Sequence, residues 1–415
     1  MKILITLFLF LPALIFAQGV VGDMLISPVM NKYEAEIISE ASKATSAQQA
    51  LDIMLEHQKK SWASAPLLFN IANAYYRLNK YSLAEDFYKK ALEKQKFFLC
   101  YKNLAITQNA QGKREDARTN FLKALAISGN SDQACLLWLI DYNMRNDDFS
   151  ASLTLCNQLL IFEPENKQAC HTKAFLLLKL SMFDEAEKYA LRNYEKTNDF
   201  RYLKIAAKSA LGKNDIHSAI ASLEALNVQK QASNLEVELL ADLYFSISVF
   251  DKASKYYVQA NSEKKLVNLA MACLNVGNLA TAQATAKHIK NKQKQASILG
   301  VIFARQGNLK TSAEKLEYAL KLNHQDWIAV ETLADVYSKL EKYPEAISFY
   351  ARMLASVEHS ERARYGLLNI ALAQKRYTEA LNLASEIDNL YSSPSIKILK
   401  QKLQEYLNEL EKSTQ

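Results

Sequence analysis

The chain reads as an all-α solenoid of about ten to eleven helix-turn-helix repeats, and three observations carry that reading. A small residue returns ten times at nearly fixed spacing, at Ala84, Ala117, Ser152, Ala186, Ala219, Ala253, Ala282, Ser312, Ala346 and Ala380, in steps of 33, 35, 34, 33, 34, 29, 30, 34 and 34 residues. Such a period belongs to one supersecondary unit stacked in series. Each period holds two segments of helical apolar spacing separated by a short polar break. Composition agrees, because 415 residues with 49% hydrophobic content contain only 9 glycines and 6 prolines, too few breakers for an all-β chain. Length would otherwise suggest two or three domains; in a solenoid each repeat packs only on its neighbours, so no single core has to grow.

The N-terminus comes first in chain order. Met1-Lys2 is followed by an apolar stretch from Ile3 to Phe16 and then Ala17-Gln18-Gly19, the charged start, short apolar body and small-residue exit of a secretory signal peptide cut after Ala17. The stretch is too short for an ordinary membrane span. An exported, periplasmic or secreted protein is therefore expected, with residues 1–17 as signal, 18–30 as linker and 31–64 as a degenerate first repeat. In that repeat Ser46-Ala-Gln-Gln49 reads as a capping box and Ala50 lies one 34-residue step before Ala84.

The repeat is clearest from Leu68 onward. Leu68, Ile71, Ala72 and Tyr75 recur at helical spacing, Asn79-Lys80 breaks the pattern, and Leu83, Ala84, Phe87, Tyr88 and Ala91 resume it. Ala72 and Ala84 stand where two antiparallel helices approach most closely. Ala72, Tyr75, Tyr81, Ala84, Tyr88 and Ala91 resemble the tetratricopeptide repeat motif, as do Ala241, Tyr244, Phe250, Ala253, Tyr257 and Ala260, and Ala334, Tyr337, Tyr343, Ala346 and Tyr350. The resemblance implies a right-handed α-solenoid over residues 65–392. Weaker copies run between the strong ones, and the steps of 29 and 30 near Ala282 predict short helices or turns there. Gly277 and Gly307 fall at hairpin turns, where glycine supplies a left-handed conformation without steric cost. Pro164 closes one repeat and Pro344 sits in the first turn of a helix, where no amide donor is needed.

Residues 393–415 are read as a capping helix and tail. Ser392-Ser393-Pro394 marks a helix start, and Ile398, Leu399, Leu403, Tyr406, Leu407 and Leu410 are read as one apolar stripe covering the last repeat. An oligomerisation helix is the alternative.

His57, His171, His217, His288, His324 and His359 include no pair at the four-residue helical spacing of a metal site, and no phosphate-cradling glycine loop or nucleophile elbow occurs. No catalytic, metal or cofactor residues are assigned. Cys100, Cys135, Cys156, Cys170 and Cys273 form no Cys-x-x-Cys pair and read as buried small hydrophobes, with a Cys100–Cys135 disulfide as the competing possibility. Asp147-Asp148 and Asp184-Glu185 read as helix-start acids. The formal charge of +7, +6 once Lys2 leaves, matters only where it clusters, at Lys179, Arg201, Lys204 and Lys208 and at Lys287, Lys290, Lys292 and Lys294. Nucleic acid is not expected as a partner of an exported chain.

What the resemblance adds is a binding face. In this family the first helix of each hairpin lines a concave groove, and its second, fifth, ninth and twelfth positions meet a ligand peptide. Carried onto this chain, with Arg145 one place beyond, they point to Phe69, Asn73, Tyr76, Lys102, Asn109, Arg145, Phe175, Lys204 and Lys208. Aromatics among amides and cations suit a peptide, the former for buried area and the latter for its backbone. The family's clasp for acidic C-terminal peptides is not expected: Asn73 and Asn103 match it, but Phe69, Ala134 and Trp138 stand where its basic residues belong. The expected function is a non-enzymatic interaction scaffold, a component or assembly factor of an envelope complex. The alternative is an accessory subunit of an energised uptake, secretion or cell-wall polysaccharide enzyme system.

Overall fold

A computed structural model describes residues 20–21, 24–60 and 63–414. The proposed signal peptide lies outside them. The chain divides into two compact units, residues 1–222 and 223–415. Unit 1 opens on two-residue strands, β1 (Val20–Val21) and β2 (Met24–Leu25), paired antiparallel. Its helices are α1 (Lys32–Ser42), α2 (Ala47–Lys60), α3 (Ala65–Arg77), α4 (Tyr81–Lys94), α5 (Phe98–Ala110), α6 (Arg114–Ile127), α7 (Gln133–Arg145), α8 (Phe149–Phe162), α9 (Lys167–Lys179), α10 (Phe183–Thr197), α11 (Phe200–Gly212) and the start of α12 (Ile216–Val228). Unit 2 continues with α13 (Asn234–Ser246), α14 (Phe250–Gln259), α15 (Glu263–Asn275), α16 (Leu279–Ala286), α17 (Lys292–Arg305), α18 (Leu309–Leu322), α19 (Trp327–Lys339), α20 (Tyr343–Leu354), α21 (Val357–Ala373), α22 (Tyr377–Tyr391) and α23 (Pro394–Thr414). Within each unit the helices pack as hairpins stacked in sequence, the solenoid arrangement read from the period.

The period rests on one contact. All ten small residues of the 34-residue register are 0% exposed, and each lies twelve residues after a buried position of the preceding helix. Where serine replaces alanine, the hydroxyl is satisfied by the facing backbone: Ser152 Oγ donates to the Ile140 carbonyl at 3.2 Å and Ser312 Oγ to the Gly300 carbonyl at 2.7 Å. At Gly300 an added Cβ would stand 2.5 Å from Leu316. The helices therefore meet backbone to side chain, and a larger residue there has nowhere to go.

A second device repeats in the same register. Five residues before every small residue the chain turns left-handed, at Asn79, Gly112, Asp147, Ser181, Asn214, Ser248, Gly277, Gly307, Glu341 and Lys375. The following amide donates back across the turn, as Lys80 does to Tyr75 and Lys342 to Tyr337, closing a Schellman motif. Gly277 and Gly307, with φ of 78° and 80°, do what the sequence expects of them. The short steps also have a local cause: α14 has 10 residues and α16 has 8, against 12 to 15 in the other second helices from α4 onward.

Polar clasps join one repeat to the next. Glu85, only 3% exposed, accepts from Lys113 at 2.6 Å, Lys89 at 2.7 Å, Gln111 at 2.8 Å and Gln108 at 3.2 Å. Burial alone would raise its pKa; the hydrogen bonds from Lys113, Lys89, Gln108 and Gln111 outweigh it and bring the carboxyl down to about 2. In unit 2, Tyr244 and Tyr337 each donate to a glutamate twenty residues upstream, Glu224 and Glu317, at 2.5 Å.

Two local expectations change, and one competing possibility drops out. Ser46 accepts the Gln49 amide at 3.1 Å, but the Gln49 side chain turns back to the Thr45 amide rather than the Ser46 amide, so the capping box is half formed. In α23 the buried stripe is Ile396 and Leu403 with Leu399 and Leu407 partly covered. Ile398 is 58% exposed, and Tyr406 and Leu410 are also exposed, because a helix laid on α22 buries only one narrow face. Tyr406 instead meets the Tyr377 ring edge-on at 4.8 Å. All five cysteines are buried and free, so there is no Cys100–Cys135 disulfide. Burial pushes Cys156 up to about 12 and Cys273 to about 11, well away from reactive thiolates.

Two outcomes follow. Ala346→Leu overpacks a closed helix pair and is expected to cost roughly 1–3 kcal/mol, read as faster hydrogen exchange in α19 and α20; unchanged exchange there would refute the register. Glu85 contributes stability above the ordinary carboxylate range near 4.5 and loses it as pH falls toward about 2. A Glu85→Gln variant should therefore show a smaller drop in melting temperature between pH 7 and pH 3 than the parent chain.

Candidate functional site

The first helices of unit 1 carry the residues picked out by sequence. On each, the close-packed positions are buried and a single stripe is left more open. On α9 the buried set is Ala169, Cys170, Ala174, Leu176 and Leu177, leaving His171, Phe175 and Leu178 half-buried and Lys179 exposed. On α11 the stripe is Arg201, Lys204 and Lys208, three or four residues apart, with Lys204 half-buried and the other two exposed. Side-chain caps fix where these helices begin: Asp132 caps α7, Asn166 caps α9 and Asp199 caps α11.

The stripe changes character along unit 1. At α3 it is closed. Phe69 is only 8% exposed and packs against Phe97, ring centroids 5.3 Å apart, and against Tyr88 at 5.8 Å. Phe69 is thus a core residue rather than an open anchor, since the aromatic at position 97 fills the space beside it. Asn73 is also committed: its Oδ1 accepts the Tyr88 hydroxyl at 2.5 Å and the Asn103 amide at 2.9 Å. The same geometry recurs fifteen residues apart in unit 2, where Tyr257 donates to Asp242 at 2.6 Å and Tyr350 to Asp335 at 2.7 Å. Asn73 therefore ties the two helices of a hairpin and the next repeat together. Tyr76 is half-buried, its ring 5.3 Å from Tyr81.

Further along, charges are paired within the face. Lys102 reaches Asp132 at 2.8 Å. Burial opposes ionisation of Asp132, but hydrogen bonds from Lys102 and the Cys135 amide hold its carboxyl below the usual range. Asn109 is half-buried. Arg145 is exposed and bonded to Asp141 at 2.7 Å. Trp138, one of the residues that exclude the carboxylate clasp, is buried between Phe121 and Tyr142, with centroids 4.5 and 5.4 Å away.

At α9 and α11 the face opens. Lys179 lies over Phe175 at 5.5 Å and over Phe149 at 5.8 Å, two cation–π contacts the sequence did not reveal. Arg201 makes a forked contact with Asp199, through Nε at 2.9 Å and Nη2 at 2.5 Å. His171 tilts against Tyr202 at 5.7 Å; burial first, and then the Arg201 charge, lower its pKa, so the ring is neutral at pH 7. The outcome is a half-buried aromatic bordered by exposed cations, with Asp199 as the paired acid beside them. Among the described residues no group of three His, Cys, Asp or Glu is placed to hold a metal, and no helix is long and apolar enough to cross a membrane.

Family models described as tetratricopeptide repeat match residues 65–97, 299–361 and 331–391, so these stretches carry that repeat. No curated protein matches the chain. Among solved structures, a tetratricopeptide repeat protein from Parabacteroides merdae is 18% identical, over 65% of this chain and 97% of that one, with a TM-score of 0.36. Naa15/Naa10 bound to HypK-THB is 14% identical over 85% of this chain and 68% of that one, TM-score 0.46. Yeast Tom70 is 14% identical over 92% of this chain and 96% of that one, TM-score 0.32.

The assignment of Asn73 to structure is open to measurement. Asn73→Ala strands the buried Tyr88 hydroxyl and should cost roughly 1–3 kcal/mol, seen as faster hydrogen exchange in α3 and α4, whereas an equal loss of partner binding without that change would restore it to the binding face.

Proposed function

We propose that the protein is an exported, non-enzymatic interaction scaffold that takes a partner peptide on the first-helix face of unit 1, within a complex of the cell envelope. Repeats of this family are protein-interaction modules, which supports the scaffold class; the envelope setting rests on the leader-like residues 1–17. The observation that carries the site is the stripe on α9 and α11. Phe175 lies half-buried beside Lys179, and Arg201, Lys204 and Lys208 follow on the neighbouring first helix. An aromatic anchor there can gain area on binding, while the cations steer and register an anionic partner. Phe69 and Asn73 leave the binding set, and Tyr76, Lys102, Asn109, Arg145, Phe175, Lys204 and Lys208 remain in it.

Crosslinking in native cells followed by mass spectrometry identifies the partner, and purified variants then test the face. Phe175→Ala is expected to weaken binding by about 2 kcal/mol or more with the fold intact. Lys204→Glu with Lys208→Glu should slow association and flatten its salt dependence. Binding that survives all three changes places the partner elsewhere. N-terminal sequencing of the mature protein should begin at Gln18, in the periplasmic or secreted fraction; an intact Met1 in the cytoplasm would overturn the export reading.

A further inference from the structure

Residues 24–30 cross the start of the repeat that opens on α5; Met24–Leu25 are strand and Ile26–Ser27 a bend. Leu25 bridges Phe97 in parallel, the Leu99 amide donates to the Ile26 carbonyl at 3.3 Å, and the Val29 amide donates to Gln95 Oε1 at 3.1 Å. The Leu25 side chain packs onto the cluster that holds Ala65, Phe69 and Phe97. Ile26, Val29 and Met30 are exposed, whereas Leu25 and Pro28 are half-buried.

The place it occupies is chemically incomplete without it. Most first helices begin on a side-chain cap: Ser64, Asp132, Asn166, Asp199, Ser233, Asn291 and Asp326 each accept an amide of the first turn. Helix α5 has Phe97 at its cap position, whose side chain has no oxygen to offer and is itself fully buried; α15 and α21 likewise start without a side-chain cap. The first-turn amides of a helix need an acceptor. At Leu99 the Ile26 carbonyl, one residue beyond β2, supplies it, and the phenylalanine at the cap position becomes part of the apolar floor under Leu25.

We propose that the edge Gln95–Leu99, with Phe69 and Phe97 beneath it, is a docking site for an extended apolar peptide strand, and that residues 24–30 are its resident occupant, displaced when such a strand arrives. The ligand chemistry is read from the occupant: an aliphatic residue at the place of Leu25, a free backbone carbonyl one residue on, and a free amide three residues after that. Backbone pairing gives affinity and the single side-chain pocket gives selectivity, the logic of strand addition. A tethered occupant competes at high effective concentration, so an outside strand must bring more contact than the segment itself makes. The proposal rests on the scaffold reading for the existence of a partner, but its site is separate from the α9–α11 stripe.

The test uses a fluorescein-labelled peptide with the sequence of residues 24–32 and fluorescence anisotropy. A chain beginning at Asn31, which keeps the α1 cap, should bind the peptide saturably and at least tenfold more tightly than the intact chain, and a peptide carrying Leu25→Asp should not bind. Equal binding to both chains, or none to the shortened chain with unchanged circular dichroism, overturns the proposal. Should the shortened chain lose structure, Leu25→Asp in the full chain is read instead by hydrogen exchange: the Leu99 amide should exchange at least tenfold faster, and an unchanged rate refutes the docking. A native partner still lost on Phe175→Ala while the probe fails to bind would overturn the strand site alone; a probe that binds while the partner is indifferent to α9 and α11 would overturn the stripe alone.

Discussion

Everything in this chain depends on the contact between a buried small residue on the second helix of a hairpin and the first helix twelve residues before it. It is fully closed at all ten positions of the register. Because the helices approach that nearly, their remaining side chains are forced outward onto two surfaces. One packs on the next hairpin, and the other faces the surroundings. Stability then accumulates repeat by repeat rather than in a central core, which is how a chain of 415 residues folds without one.

The polar groups follow the same logic. The left-handed residue five places before each small residue closes the hairpin, and it does so even as Glu341 and Lys375, where a side chain meets a conformation that disfavours it by roughly 1–2 kcal/mol. The turn geometry is held because the tight helix contact leaves no other path. Across repeats, buried carboxylates such as Glu85 are surrounded by enough donors to remain ionised, so the clasps act as register pins as well as attractions.

The candidate binding face was legible in part. The family resemblance, carried onto the helical register, pointed to Phe175, Lys204 and Lys208 as an outward stripe. Depth was not legible. Phe69 has the same register as Lys204, yet Phe97 from the next repeat and Leu25 from the N-terminal segment cover its surroundings. Asn73 looked like a ligand amide, although a signal for its structural role was present: Asn73–Tyr88, Asp242–Tyr257 and Asp335–Tyr350 all lie fifteen residues apart. In α23 the inward face included Ile396 and excluded Ile398, a difference of orientation that an amphipathic pattern with spare apolar residues leaves open.

By itself, the sequence determined the helical hairpin, its period, the closest contact and the shortened repeat near Ala282, since each depends on residues within a single repeat and its immediate neighbour. Tertiary structure alone decided which outward residues stay open. Exposure is set by neighbours some 30 residues away, or by a segment such as residues 24–30 lying across another repeat, and no local pattern records how much space those neighbours leave.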